Sequence, residues 1–277
     1  MSSPAKTHEA TKGGFPMRYL VVEPHPDDLA FFCAGTVAKL LSEGHDVSTL
    51  VVTDGEQGTL NRTAYDTDKK LAKVMREEQL AACNVIGVKK VTFLGLKNHF
   101  LEPTHQLREM ILRHVREVQP AAVITLDPWN FDENPDHRAV GQAVIEACSF
   151  AHFHLFHPEH LKQGLSTAMV AKIIFAKTPS PNAYVDISGF IDKKIEAILC
   201  YHSQLELMRM EGAERLKVLG KSSPIFDNPL DEVIPASIRA VAEQEGEKGN
   251  VPLAEAFHVR GLGILENIKD LVGGLSV

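Results

Sequence analysis

The sequence predicts an α/β fold in which a mainly parallel sheet is covered by helices on both faces. Three observations carry that expectation. Short apolar runs rich in β-branched residues recur along the chain. Segments with helical spacing alternate with them. Clusters of histidine and carboxylate side chains fall just after several of the runs, where sheets of this class bind their ligands.

Taken in order, MRYLVVE (17–23) is short, apolar and β-branched, as a buried strand is. Leu29 to Glu43 follows with helical spacing through Val37, Leu40 and Leu41, and Gly44 supplies a stop. DVSTLVVT (46–53) is a second strand, and the polar loop after it holds Gly55 and Gly58, which favour tight turns. Residues 68–86 are a long amphipathic helix and KVTFLGL (90–96) is a third strand. His105 to Val118 is a helix that ends ahead of Pro120. AAVITLD (121–127) is a fourth strand, 136–148 a helix, AKIIFAK (171–177) a fifth strand, and 188–201 helical again. Residues 1–15 are polar and are read as a disordered N-terminal tail, with 16–277 as one domain.

Composition narrows the function. With 277 residues, 44% of them hydrophobic, the chain can bury a substantial core. A net charge of −7 speaks against a dedicated nucleic-acid binder, and no apolar run reaches the length of a membrane span. Cys33, Cys83, Cys148 and Cys200 form no CxxC pair, so they are read as reduced thiols of a cytoplasmic protein. The first strand ends in EPHPDD and not in a glycine-rich phosphate loop, which argues against a dinucleotide enzyme.

The polar clusters carry the chemistry. His25-Pro26-Asp27-Asp28 follows the first strand, Asp54 and Glu56 follow the second, and Asp127 to His137 follows the fourth. Imidazole and carboxylate are both zinc ligands, and a catalytic zinc takes three protein ligands. His25 and Asp28 suit one ion on a turn, and His137 at the start of a helix is the best third ligand. That leaves Asp27 as a carboxylate available to accept a proton from water. A plainer reading stays open: Asp27 or Asp28 is an N-cap of the helix that follows.

MRYLVVEPHPDDLAFFCAGTVAKL, TDGEQGT, MREEQLAACNVIGV, NPDHRAVGQAV, VDISGFIDKKIEAILCYHSQ and PLAEAFHVRG, in this order, resemble the PIG-L/LmbE-like N-acetylglucosaminyl deacetylase family. The resemblance runs from about residue 17 to about 262. It implies a Rossmann-like three-layer fold and a hydrolase that removes an N-acetyl group from an N-acetylglucosamine-type sugar or conjugate. It implies one Zn2+ per chain on His25, Asp28 and His137, with Asp27 as general base. Arg76 matches a substrate-binding position, and Asp136 the acidic residue that supports the metal-side histidines. A homo-oligomer is also implied. The alternatives are an amidase acting on a larger sugar or thiol conjugate, and a non-catalytic carbohydrate- or nucleotide-binding member.

The chain departs from the family pattern at three places. Asn134 stands where the family string HPDH has its first histidine. Asparagine donates a hydrogen bond to an oxyanion but is no acid near neutrality, so proton delivery to the amine falls to Asp27. Leu29 replaces a frequent glutamate, and LKNHF (96–100) an aspartate-glycine turn. Among other residues, Glu56 is expected at sugar hydroxyls, Trp129 against a sugar ring, and His202 at the substrate or in the missing histidine's role. His152, His154, His157 and His160 are read as a packed strap rather than a second metal site.

Overall fold

The computed structural model describes residues 16–130, 132–268 and 277. The tail expected at 1–15 lies outside them. The chain runs β1 (Arg18–Glu23), α1 (Asp28–Ser42), β2 (Asp46–Thr53), α2 (Asp68–Ile86), β3 (Lys90–Leu96), α3 (His105–Val118), β4 (Ala122–Leu126), α4 (Pro135–Phe150) and α5 (Pro158–Lys162). It continues with β5 (Lys172–Ala176), β6 (Ala183–Asp186), α6 (Ile191–Leu199), α7 (His202–Val218), α8 (Ile234–Gly249), β7 (Ala254–Gly261) and α9 (Ile264–Ile268). Two short 3-10 turns lie between α7 and α8.

The strands form one seven-stranded sheet in the order β3-β2-β1-β4-β5-β7-β6. The first five are mutually parallel, whereas β7 runs antiparallel to both β5 and β6. Alternation along β1 separates two cores. Tyr19 and Val21 pack under α1 and α2, while Leu20 and Val22 pack under α3 and α4. That two-sided burial is why the parallel strands read as continuous apolar runs.

The sequence reading found β1 to β5 and missed the antiparallel edge. β7 carries Glu255, His258 and Arg260 in an alternation that signals no buried strand. Glu255 is nevertheless buried: its carboxylate accepts from the Gly35 and Thr36 amides at 3.0 and 2.7 Å and from Lys194 at 2.6 Å. The helix expected over 188–201 is α6, and a further helix, α7, which the sequence reading did not give, starts just beyond Cys200 and Tyr201.

The strand order puts β1 between β2 and β4, so the chain winds away from β1 in both directions. Ligands bind at such a switch point, outside the carboxyl ends of the strands. His25 leaves β1 there and His137 enters α4 after β4. Gly141 lets α4 close onto β4, since a Cβ at that position would lie 2.6 Å from the Leu126 carbonyl oxygen.

Candidate active site

Three side chains converge at the switch point. His25 Nδ1 lies 3.3 Å from Asp28 Oδ2, Asp28 Oδ1 lies 3.4 Å from His137 Nε2, and His137 Nε2 lies 3.2 Å from His25 Nδ1. Zinc bonds of about 2.0–2.2 Å at tetrahedral angles separate neighbouring ligand atoms by roughly 3.3–3.5 Å. Asp28 meets the two imidazoles through its two different oxygens, and these spacings suit one small divalent ion held between the three side chains.

Each imidazole is turned inward by a carboxylate behind it. His25 Nε2 donates to Asp136 at 3.2 Å, and His137 Nδ1 to Asp132 at 2.6 Å. Outer partners of this kind fix the tautomer and leave the inner nitrogen as a lone pair for a metal. Asp132 is itself held by Lys177 at 2.8 Å and by the Asn134 amide at 3.0 Å. Burial would raise its pKa, but these partners and His137 bring it down to about 2. Asp136 is fully buried and likewise depressed: burial opposes this, and the hydrogen bonds from His25 and two loop amides outweigh it. Burial would lower His25, yet Asp136 and Asp28 push it up to about 10. Surroundings this anionic favour a cation at the triangle, so the donor set fits a divalent metal in charge as well as in distance.

Asp27 is held in an unfavourable backbone conformation, φ 112°. Such a conformation costs about 1–3 kcal/mol and persists only where neighbours over-determine it. Its amide donates to Gln79 Oε1 at 3.2 Å, and Tyr201 donates to the same oxygen. Gln79 Nε2 donates to Glu23 at 2.6 Å, and Glu23 also accepts from Thr49 and from the Leu29 amide. Burial pushes Glu23 up to about 8 against those hydrogen bonds. Asp27 does occupy the N-cap position of α1, but its side chain makes no capping bond, and Asp28 accepts from the His25 amide at 2.9 Å. Burial, then Asp28 beside it, raises the Asp27 carboxyl well above the usual range. A carboxyl so placed is suited to taking up a proton.

The triangle and Asp27 open into a cavity of about 280 Å³, whose wall includes Phe31, Met75, Asn98, His99, Asn134 and Gln204. With that geometry in view, comparison with known proteins is direct. The PIG-L family profile, described as GlcNAc-PI de-N-acetylase, matches residues 20–148. The diacetylchitobiose deacetylase of Thermococcus kodakarensis is 35% identical over 188 residues, which are 68% of this chain and 70% of that one. The chain belongs to the PIG-L family. A probable N-acetyl-α-D-glucosaminyl L-malate deacetylase of Bacillus anthracis is 28% identical over 67% of this chain and 80% of its own length. Among solved structures, the N,N'-diacetylchitobiose deacetylase of Pyrococcus horikoshii superimposes with a TM-score of 0.74 at 28% identity, covering 88% of this chain and 84% of that one.

Within this PIG-L member, the remaining predicted residues divide. Asn134 lines the cavity and caps α4, its Oδ1 accepting from the Asp136 amide at 3.0 Å. Asp136 stands behind His25 and does not face the cavity. Arg76 is not among the lining residues: it forks onto Asp54 with two contacts of 2.9 Å and lies over the Phe93 ring. Trp129 is 57% exposed, edge-on to Phe175 and beneath the Arg260 guanidinium, away from the cavity wall. His202 lines a second cavity of about 530 Å³ with Tyr65 and Arg209, while Gln204, Leu207 and Met208 of the same helix line the first. The fold therefore does not bring His202 to the metal triangle, where it was expected to replace the missing histidine.

Glu56 lies one layer behind the wall. Its Oε1 accepts from the Asn98 amide at 2.9 Å, while Glu56 Oε2 and Asn98 Oδ1 are buried with no partner among the described residues. An unmet buried acceptor costs about 1–3 kcal/mol, so these two oxygens ask for a donor. Asp132, Gln79, Asn98 and His99 were not singled out from the sequence. Asp132 stands five residues before His137 in a string rich in acids, and nothing local distinguishes it from Glu133.

The histidine-rich strap is structural. Glu109, His157 and His160 bring donor atoms within 4.8 Å of one another, but Arg116 lies 3.4 Å from His160 Nδ1. Arg116 is buried and donates to the carbonyls of Ala151, Phe153, Phe156 and His157. A guanidinium in that position opposes a second cation.

Proposed function

We propose that this protein hydrolyses the N-acetyl group of an N-acetylglucosamine-type sugar or small glycoside, using one zinc ion. The observation that carries the reading is the closed His25–Asp28–His137 triangle with Asp27 beside it in a small cavity. His25, Asp28 and His137 would hold the ion. When bound, a divalent zinc supplies Lewis-acid polarisation and lowers the pKa of water from about 15.7 to roughly 7.

The chain's own residues do the rest. Asp27 takes the proton of the attacking water, a step worth about 10²–10⁴ in rate. Asn134 spends its Oδ1 on the helix cap, which leaves its NH2 group for the developing oxyanion. Asp132 and Asp136 hold the two imidazoles in register. Asn98 Oδ1, on the wall and without a partner among the described residues, is an acceptor suited to a sugar hydroxyl, with Glu56 behind it holding the Asn98 amide. Phe31, Met75, Leu207 and Met208 supply apolar walls that exclude bulk water. The relatives named as deacetylases of acetylated glucosamines support the substrate class.

The test is metal analysis after dialysis together with acetate release from N-acetylglucosamine and diacetylchitobiose. The expected result is one zinc per chain and equimolar acetate and free amine. Tight sugar binding without acetate would overturn the hydrolase reading and favour a binding member of the family.

A further inference from the structure

Amide hydrolysis needs two proton transfers. One leaves the attacking water and one reaches the departing amine. Asn134 has no proton to give the amine. Among the described residues lining the cavity, the imidazole and carboxyl side chains are those of His25, Asp27, Asp28, His99 and His137. Three of these form the metal triangle, and Asp27 serves the water, although the sequence reading had it hand that proton on to the amine as well. His99 is left.

Its setting is unusual. His99 sits in the β3–α3 connection at φ 65°, a conformation that favours glycine and that costs other residues energy. The backbone is pinned there: the His99 amide donates to Asp136 Oδ2 at 2.7 Å and the Leu101 amide to Asp136 Oδ1 at 3.2 Å. Asp136 Oδ2 is the same oxygen that orients His25. The loop that carries this imidazole is therefore anchored to the carboxylate behind a metal ligand, although it starts from a strand two places away in the sheet. A strained, pinned non-glycine residue at a cavity wall is where function is to be sought.

We propose that His99 is the proton donor to the departing amine, the role Asn134 is chemically unable to fill. This rests on the deacetylase reading above. Water adds its oxygen to the acetyl carbon and passes a proton to Asp27. The His99 imidazolium then protonates the amide nitrogen as the C–N bond breaks, giving acetic acid and the free amine. Asp27 returns its proton to His99 through solvent, so the enzyme is regenerated with no other reactant.

The experiment compares wild type, His99→Gly and His99→Gln on N-acetylglucosamine and diacetylchitobiose, reading kcat, KM, bound zinc and Tm. Glycine suits φ 65°, so His99→Gly folds with an equal or higher Tm. Glutamine keeps a hydrogen-bond donor without an acidic proton. The expected result is a kcat loss of about 10²–10⁴ in both variants, with KM within about twofold and full zinc. Activity retained by His99→Gln reduces the residue to a hydrogen-bonding role and overturns the proposal. So does a kcat within about threefold of wild type in His99→Gly, or a kcat loss matched by loss of zinc. A wild type that releases no acetate from either sugar removes the function and the donor role together. The other overturning results leave the function standing.

Discussion

Replacing Asp132 by alanine isolates the contribution of a carboxylate that stands behind His137, one of the proposed metal ligands. In the native protein Asp132 accepts from His137 Nδ1 at 2.6 Å, from Lys177 at 2.8 Å and from the Asn134 amide at 3.0 Å. The first contact sets the tautomer that leaves His137 Nε2 as a metal ligand. A hydrogen bond to a charged group contributes about 1.5–3 kcal/mol. Removing an outer partner of a ligating histidine lowers metal affinity about 10–100-fold, or about 1.4–2.7 kcal/mol, and the two figures agree. Lys177 is partly exposed and rehydrates on losing its partner, so the fold is expected to lose only about 1–2 kcal/mol. Asp132→Asn keeps a neutral acceptor and is expected to fall between wild type and Asp132→Ala. Zinc affinity is measured by competition against a chromogenic chelator, with stability followed by urea unfolding. If Asp132→Ala binds zinc as tightly as wild type while folded, the imidazole is not oriented by this carboxylate and the account of the site is wrong.

Further outcomes follow from the same geometry. Asp27→Asn is expected to keep its zinc and lose about 10²–10⁴ in turnover, whereas His137→Ala loses both. Metal analysis beside acetate release distinguishes them, and equal metal loss in the two variants defeats the division of roles. Asn98→Leu removes an unmet acceptor and sets an apolar group against the substrate, so KM is expected to rise about tenfold with zinc content unchanged. Arg116→Ala strips four carbonyls of their donor and opens a void beneath the strap. It is expected to destabilise the fold by about 3–5 kcal/mol in urea titrations, with full zinc at the active site.

Legibility in the sequence followed the range of the forces involved. β1, β2, β4 and β5 were readable because both faces of each strand are buried, which leaves a continuous apolar run, and the half-exposed edge strand β3 was readable from its short apolar run. β7 was not, because its buried Glu255 is neutralised by Lys194 and by helix amides far away in sequence. The metal triangle was readable because His25 and Asp28 sit in one turn and His137 opens the helix after another strand. Arg76 and His202 were placed near the substrate on family grounds, yet one is taken up by Asp54 and the other opens on a different cavity. Side chains on one helix diverge within a turn, and a linear string does not state which face is turned inward.

The linear chain by itself determined the alternation of strands and helices, the donor types of the candidate metal site, and the spare aspartate beside them. These are consequences of local periodicity and of side-chain chemistry. Only the tertiary structure decided that His25 and His137, 112 residues apart, share one edge of 3.2 Å. It also set Asp132 and Asp136 behind them, left Asn98 and Glu56 with unmet oxygens, and brought His99 to the cavity wall. Those relations depend on which strands lie side by side at the switch point, and burial of apolar surface over the whole sheet selects that order.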